Sequence, residues 1–166
     1  MIFNFPIILL AALVPLVVGA IWYNPKVLGN AWMKSCGFTE EDLKGANMIL
    51  IFGLTYLFSL MLGTVMNVTV IHQNHVYSIL VDEAGFMQEG SDLMVYLQDF
   101  MEKYGSNYRT FKHGAFHGVL SGIFFALPVV GILALFERRR FPYIAIHTGY
   151  WIISLALMGG IICAYS

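Results

Sequence analysis

Apolar residues along this chain gather into four long unbroken stretches, about 5–23, 47–71, 114–136 and 141–164. A bilayer core about 30 Å thick takes about 20 apolar residues of helix to cross, so each stretch is long enough to span it. The strands of a membrane barrel would instead alternate apolar and polar positions, and runs such as Ile49-Leu50-Ile51-Phe52 do not alternate. Helices also satisfy their own backbone hydrogen bonds where water is excluded. The pattern predicts an all-α fold, an integral-membrane four-helix bundle that forms a single transmembrane domain over residues 1–166. The first stretch reads as an anchor rather than a cleaved leader, because no Lys or Arg precedes it and no small-x-small site follows before Trp22-Tyr23.

The polar segments carry patterns of their own. The second loop, about 72–113, is the one sizeable extramembrane piece. There Ser91 can cap a helix that places Leu93, Leu97, Phe100, Met101 and Tyr104 on one face, with Gly105 ending it. This predicts a short amphipathic helix on the membrane surface or on the bundle. In the first loop, Thr39 followed by Glu40, Glu41 and Asp42 reads as a cap with an acidic first turn, so the second span is expected to begin with an extension that Gly45 is placed to interrupt. Pro142 suits the first turn of the fourth span. Pro15 and Pro128, inside spans one and three, are expected to kink them.

Composition agrees with the spans and adds an orientation. Hydrophobic residues make up 58% and charged residues 11%, against about 45–50% and about 25% in a soluble domain. With a formal net charge of −1 and scattered cations, nothing argues for nucleic acid; the lipid bilayer is the expected partner. Lys26, Lys34, Lys44, Arg138, Arg139 and Arg140 fall on one side of the membrane, and only Lys103, Arg109 and Lys112 on the other. The positive-inside rule then puts the first group in the cytoplasm and both termini in the periplasm of a bacterial inner membrane.

Candidate chemistry is sparse. Gly114, Gly118 and Gly122 form a tandem small-xxx-small ridge that predicts close approach of another helix, inside the bundle or in a second copy. His113 and His117 lie on the neighbouring ridge, and His72 and His75 stand where the second span leaves the membrane at the same level. Two histidine pairs at helical spacing could hold zinc, or haem as a weaker alternative, although interfacial anchoring accounts for such residues without a cofactor. His147 sits about two turns inside the fourth span, where an ionisable group suggests a function. Trp22, Tyr23, Trp32 and Lys34 read as an aromatic and cationic interfacial anchor. Cys36 and Cys163 belong at opposite membrane faces, so no disulfide joins them. The spans carry no Asp, Glu, Lys or Arg and no catalytic motif occurs, which argues against an enzyme and against a coupled pump.

The strings Ile21-Trp22-Tyr23-Asn24-Pro25-Lys26, Ala31-Trp32-Met33-Lys34, Phe111-Lys112-His113-Gly114-Ala115-Phe116-His117-Gly118 and Gly149-Tyr150-Trp151-Ile152-Ile153-Ser154 resemble a family of small bacterial membrane proteins catalogued as a domain of unknown function. The version with the long second loop is similar to those of Bacteroidetes. The resemblance implies a four-span inner-membrane protein and supplies no activity or site residue. The expected function is non-enzymatic: action through assembly, as a homo-oligomer or as an accessory subunit of a membrane complex. A passive transporter or channel, and an outward-facing metal- or haem-binding protein, are the alternatives.

Overall fold

The computed structural model describes residues 3–166; Met1 and Ile2, part of the domain expected over 1–166, lie outside the described residues. Four helical stretches, Phe5–Trp22, Met48–Val70, Phe111–Phe136 and Phe141–Tyr165, are long and apolar enough to cross a membrane. They form a four-helix bundle, and the chain is a multi-pass membrane protein. The first span is two helices, α1 (Phe5–Ala11) and α2 (Val14–Trp22), and α3 (Asn30–Cys36) follows it across a π-helical turn at Pro25–Gly29. The second span is α4 (Met48–Val70), succeeded by α5 (Gln73–Ser78) and α6 (Asp92–Tyr104). The third runs as α7 (Phe111–Ser121), a π-helical segment Gly122–Ala126, and α8 (Leu127–Phe136), and the fourth is α9 (Phe141–Tyr165).

The hub is α9, which packs against α1, α2, α3, α4, α7 and α8. It buries 56% of its most apolar window inside the protein, whereas α4 buries 11% and turns most of its surface outward. The glycine ridge explains the tightest contact. A Cβ on Gly114 would fall onto the carbonyl of Gly159, one on Gly118 onto the carbonyl of Leu155, and one on Gly122 would lie 2.6 Å from Ile152 Cγ1. With no side chains in the way, α7 and α9 touch backbone to backbone, which is how helices gain dispersion energy in lipid. Gly160 extends the seam, since the Phe111 ring would stand 2.6 Å from its missing Cβ.

Both prolines interrupt their spans, by different means. Pro15 lacks the N–H that would bond Ala11, and the first span breaks between α1 and α2, where Tyr150 Oη donates to the Pro15 carbonyl at 3.0 Å. Before Pro128 the helix widens to the π-helical turn, with Leu127 N–H bonding the Gly122 carbonyl.

Asn4 and the end of α9 lie together at one end of the bundle, where Asn4 Nδ2 donates to the Tyr165 carbonyl at 3.3 Å. We call this the terminal end and the other, with Arg138, Arg139 and Arg140, the arginine end. The tight arginine turn closes by placing Arg138 in the left-handed region (φ 55°), with Arg139 N–H bonding the Ala134 carbonyl at 2.8 Å, and Pro142 lies in the first turn of α9. One expectation is corrected in the first loop. Thr39 does reach Asp42, its N–H at 2.8 Å and its hydroxyl at 2.6 Å, but the segment makes turns only, and Gly45 at φ 79° follows. The second span therefore begins afresh at Met48, capped by Asn47 Oδ1 accepting from Leu50 N–H at 3.1 Å. In the second loop Ser91 caps α6 as expected, accepting from Met94 N–H at 3.2 Å, and Leu97 is buried on its inner face.

Candidate metal centre

Helix α4 ends at Val70 because Ile71 leaves the helical region (φ −104°, ψ 89°). Buried Asn74 secures the break by donating from Nδ2 to Asn67 Oδ1 at 3.1 Å. His72 stands immediately after it as the residue that caps α5. On α7, Thr110 accepts from His113 N–H at 3.3 Å and starts the helix, which carries His113 and His117 one turn apart. The contact of α7 with α9 holds that helix in depth and rotation, so the two imidazoles meet His72 at the terminal end.

His72 Nε2 lies 2.9 Å from His113 Nε2 and 3.2 Å from His117 Nε2. The three ligand atoms all fall within 4.8 Å of one another. A neutral imidazole nitrogen offers one in-plane site, either an N–H or a lone pair. Two neighbours at hydrogen-bonding distance over-subscribe His72 Nε2, and no choice of tautomers gives both a linear bond. A cation between the rings satisfies all three nitrogens at once. Tetrahedral zinc with Zn–N of about 2.0–2.1 Å sets its nitrogens roughly 3.3 Å apart, close to the two separations from His72. Three protein ligands leave the fourth position open to water or a small ligand. Partial burial, with His113 and His75 adding, lowers the His72 pKa below the ordinary 6.5, which favours the neutral form that ligates metal.

His75 does not join this set. It stays on the helical turn of His72, its N–H bonding the His72 carbonyl at 3.0 Å, but its ring is exposed and stands apart from the convergence, the two ring centroids being 6.4 Å apart. Beside the centre a cleft of about 510 Å3 runs between His72 and Val76 on one side and Phe100 and Tyr104 of α6 on the other. Tyr108, in the left-handed region (φ 60°), sets its ring 5.2 Å from that of His113. Arg109 ties the entry of α7 to the end of α9, donating from Nε to the Cys163 carbonyl at 3.1 Å and from Nη2 to the Ser166 carbonyl. The Cys163 carbonyl is among the four that a helix end leaves unpaired, so the guanidinium satisfies it while also holding the residue that follows the helix.

The residues read as an anchor divide. Trp22 points into the bundle, its Nε1 donating to the Ile146 carbonyl at 3.0 Å and its ring packed over Gly149. Tyr23 sits between Trp32 and Tyr150, 5.3 Å from each ring, and its hydroxyl lies 3.2 Å from His147 Nδ1. Lys34 is exposed on α3. The other nitrogen of His147, Nε2, faces Cys36 Sγ at 4.0 Å. Cys36 and Cys163 are free thiols. The sequence signals missed were Gly159 and Gly160, which mirror the small residues of α7, and Asn67 with Asn74, a buried amide pair that marks the helix break.

No curated protein and no solved structure matches the chain. A family described as a protein of unknown function, DUF1761, matches residues 7–163, nearly the whole chain. The chain belongs to the DUF1761 family.

Proposed function

We infer that this protein binds a single imidazole-preferring metal ion, zinc first among them, at the terminal end of its bundle. The observation that carries this is the convergence of His113 and His117 on one nitrogen of His72, at 2.9 and 3.2 Å. Zinc, copper and nickel all suit imidazole. Haem suits the centre less, because its axial nitrogens stand on opposite faces of a wide macrocycle. The distribution of cations supports a centre facing outward from a bacterial inner membrane. A reporter placed after Ser166 tests that orientation: it should be reached from the periplasm in intact cells.

Action as a homo-oligomer or as a subunit of a larger complex remains a separate proposal. Its glycine argument is weakened, because α9 of the same chain fills the ridge. The metal reading is tested by titrating Zn2+ into detergent-solubilised, chelator-stripped protein and by the visible spectrum of a Co2+ substitute. One ion per chain with a tetrahedral cobalt spectrum is expected, lost in His113→Ala and His117→Ala. Absence of saturable binding would overturn it.

A further inference from the structure

A second cluster, at the arginine end, takes no part in the metal centre. Three separate elements build it: Cys36 closes α3, Tyr23 follows α2 at its C-cap, and His147 projects from α9. Cys36 Sγ lies 4.0 Å from His147 Nε2, and Tyr23 Oη lies 3.2 Å from His147 Nδ1. A thiol acts as a nucleophile in its thiolate form, and a neighbouring base whose ring is held by a third group is the usual means of reaching it. Tyr23 Oη can accept from His147 Nδ1–H, the tautomer that leaves the Nε2 lone pair free to take the thiol proton. The other cysteine shows what the cluster adds. Both thiols are buried, Cys36 at 9% exposure and Cys163 at 0%, but Cys163 faces carbonyls, Tyr108 O at 3.3 Å and Val70 O at 3.5 Å, where Cys36 faces an imidazole.

The charges around Cys36 favour anions. Arg139 Nη1 donates to the Cys36 carbonyl at 2.9 Å, and its guanidinium covers the Tyr143 ring at 5.5 Å. Tyr143 in turn packs 4.3 Å from His147. Lys34 is exposed two residues before Cys36, and the nearby acid, Glu137, is paired with Arg139 at 3.3 Å. The titratable groups facing the thiol and imidazole are thus Tyr23, Tyr143 and Tyr150, with Arg139 and Lys34 outnumbering Glu137.

We propose that Cys36 is a reactive thiol that exchanges with small, negatively charged disulfides, His147 accepting its proton and Tyr23 positioning the ring. In the step, His147 Nε2 takes the thiol proton and Cys36 Sγ attacks one sulfur of the disulfide. The sulfur–sulfur bond breaks, its electron pair leaves on the second sulfur, and that thiolate takes the proton from the imidazolium. Cys36 is oxidised to a mixed disulfide, the incoming disulfide is reduced to one free thiol, and no further oxidant is required.

The test uses dithiobis(nitrobenzoate), a doubly anionic disulfide, on the full chain in mild detergent, reading the coloured thiol released over a range of pH. One fast equivalent per chain is expected, abolished by Cys36→Ser and kept by Cys163→Ser. His147→Gln should slow it by at least about tenfold and move the pH–rate profile up to that of an unassisted thiol. Tyr23→Phe, which keeps the ring and removes only the hydroxyl, should give a smaller slowing with the same upward movement. Uncharged dithiodipyridine should show less preference for Cys36 over a free thiol. A Cys163 that reacts as fast as Cys36 overturns the proposal, as does an unchanged rate and pH profile in folded His147→Gln. If His147→Gln does not fold, an unchanged profile in Tyr23→Phe overturns it equally.

Discussion

Each end of the bundle holds a histidine cluster, and the two differ in how many groups claim each nitrogen. At the arginine end His147 gives Nδ1 to Tyr23 and Nε2 to Cys36, so every ring nitrogen has one claimant. At the terminal end a single nitrogen of His72 is claimed by both His113 and His117. One claimant per nitrogen makes a hydrogen-bonded chain that can hold or pass a proton. Two claimants make a conflict that a cation, as proposed above, would resolve. The number of histidines at a membrane face therefore says little about metal until the sharing of individual nitrogens is known.

The largest expected effect breaks the contested nitrogen. His113→Ala or His117→Ala should each weaken Zn2+ binding by at least about a hundredfold in calorimetric titration, more than the loss of an outer-shell partner, which costs about 10–100-fold. If either variant kept its affinity, the over-subscription would have some other meaning. Next comes Gly118→Leu, whose branched side chain would meet the Leu155 backbone. Overpacking of this kind costs about 1–3 kcal/mol. Because α7 carries two of the ligands and α9 carries His147, thermal unfolding should move down while metal binding and Cys36 reactivity weaken together. Loss of one without the other would show that the ends do not share a frame.

A pH series sharpens the same comparison. The folded chain holds a proton on His72 less readily than the unfolded chain, because partial burial and the neighbouring His113 and His75 lower its pKa. Its contribution to stability is therefore complete above the ordinary value of 6.5 and lost as pH falls below that value through the lowered one. In chelator-treated protein the unfolding temperature should drop over that window, and His72→Asn should flatten the drop. The smallest effect is expected at His75, which lies apart from the convergence: His75→Ala should change zinc affinity less than about twofold, well under the losses expected at His113 and His117. A large loss would mean that the loop closes over the ion.

The spans, the hairpin turn and the amphipathic helix were legible because each depends on local pattern: long apolar runs, Pro142 after a charged turn, Ser91 before an apolar stripe. The glycine ridge was legible as a contact, and its partner was not, since nothing in Gly114, Gly118 and Gly122 distinguishes a neighbour in the same chain from one in another. Three of the four histidines came together as the spacing suggested. His75 did not: it follows His72 on one helical turn, and spacing alone does not say which of the two rings turns toward α7 and which toward the outside. The meeting of Tyr23, Cys36 and His147 was out of reach, as it joins positions more than a hundred residues apart.

The position of α9 has a consequence for how the molecule is made. It is the last of the four spans to emerge during synthesis, yet the other three pack on it. Until it arrives, the bare glycine face of α7 lacks its partner, and His113 and His117 stand on a helix that keeps its smaller contact with α4 but not its main one. Insertion of the early spans and completion of the bundle are therefore separate events, and neither cluster is assembled until the final helix has crossed the membrane. A chain stopped before Phe141 would sit in the bilayer as three loosely associated helices, a ready target for membrane proteases.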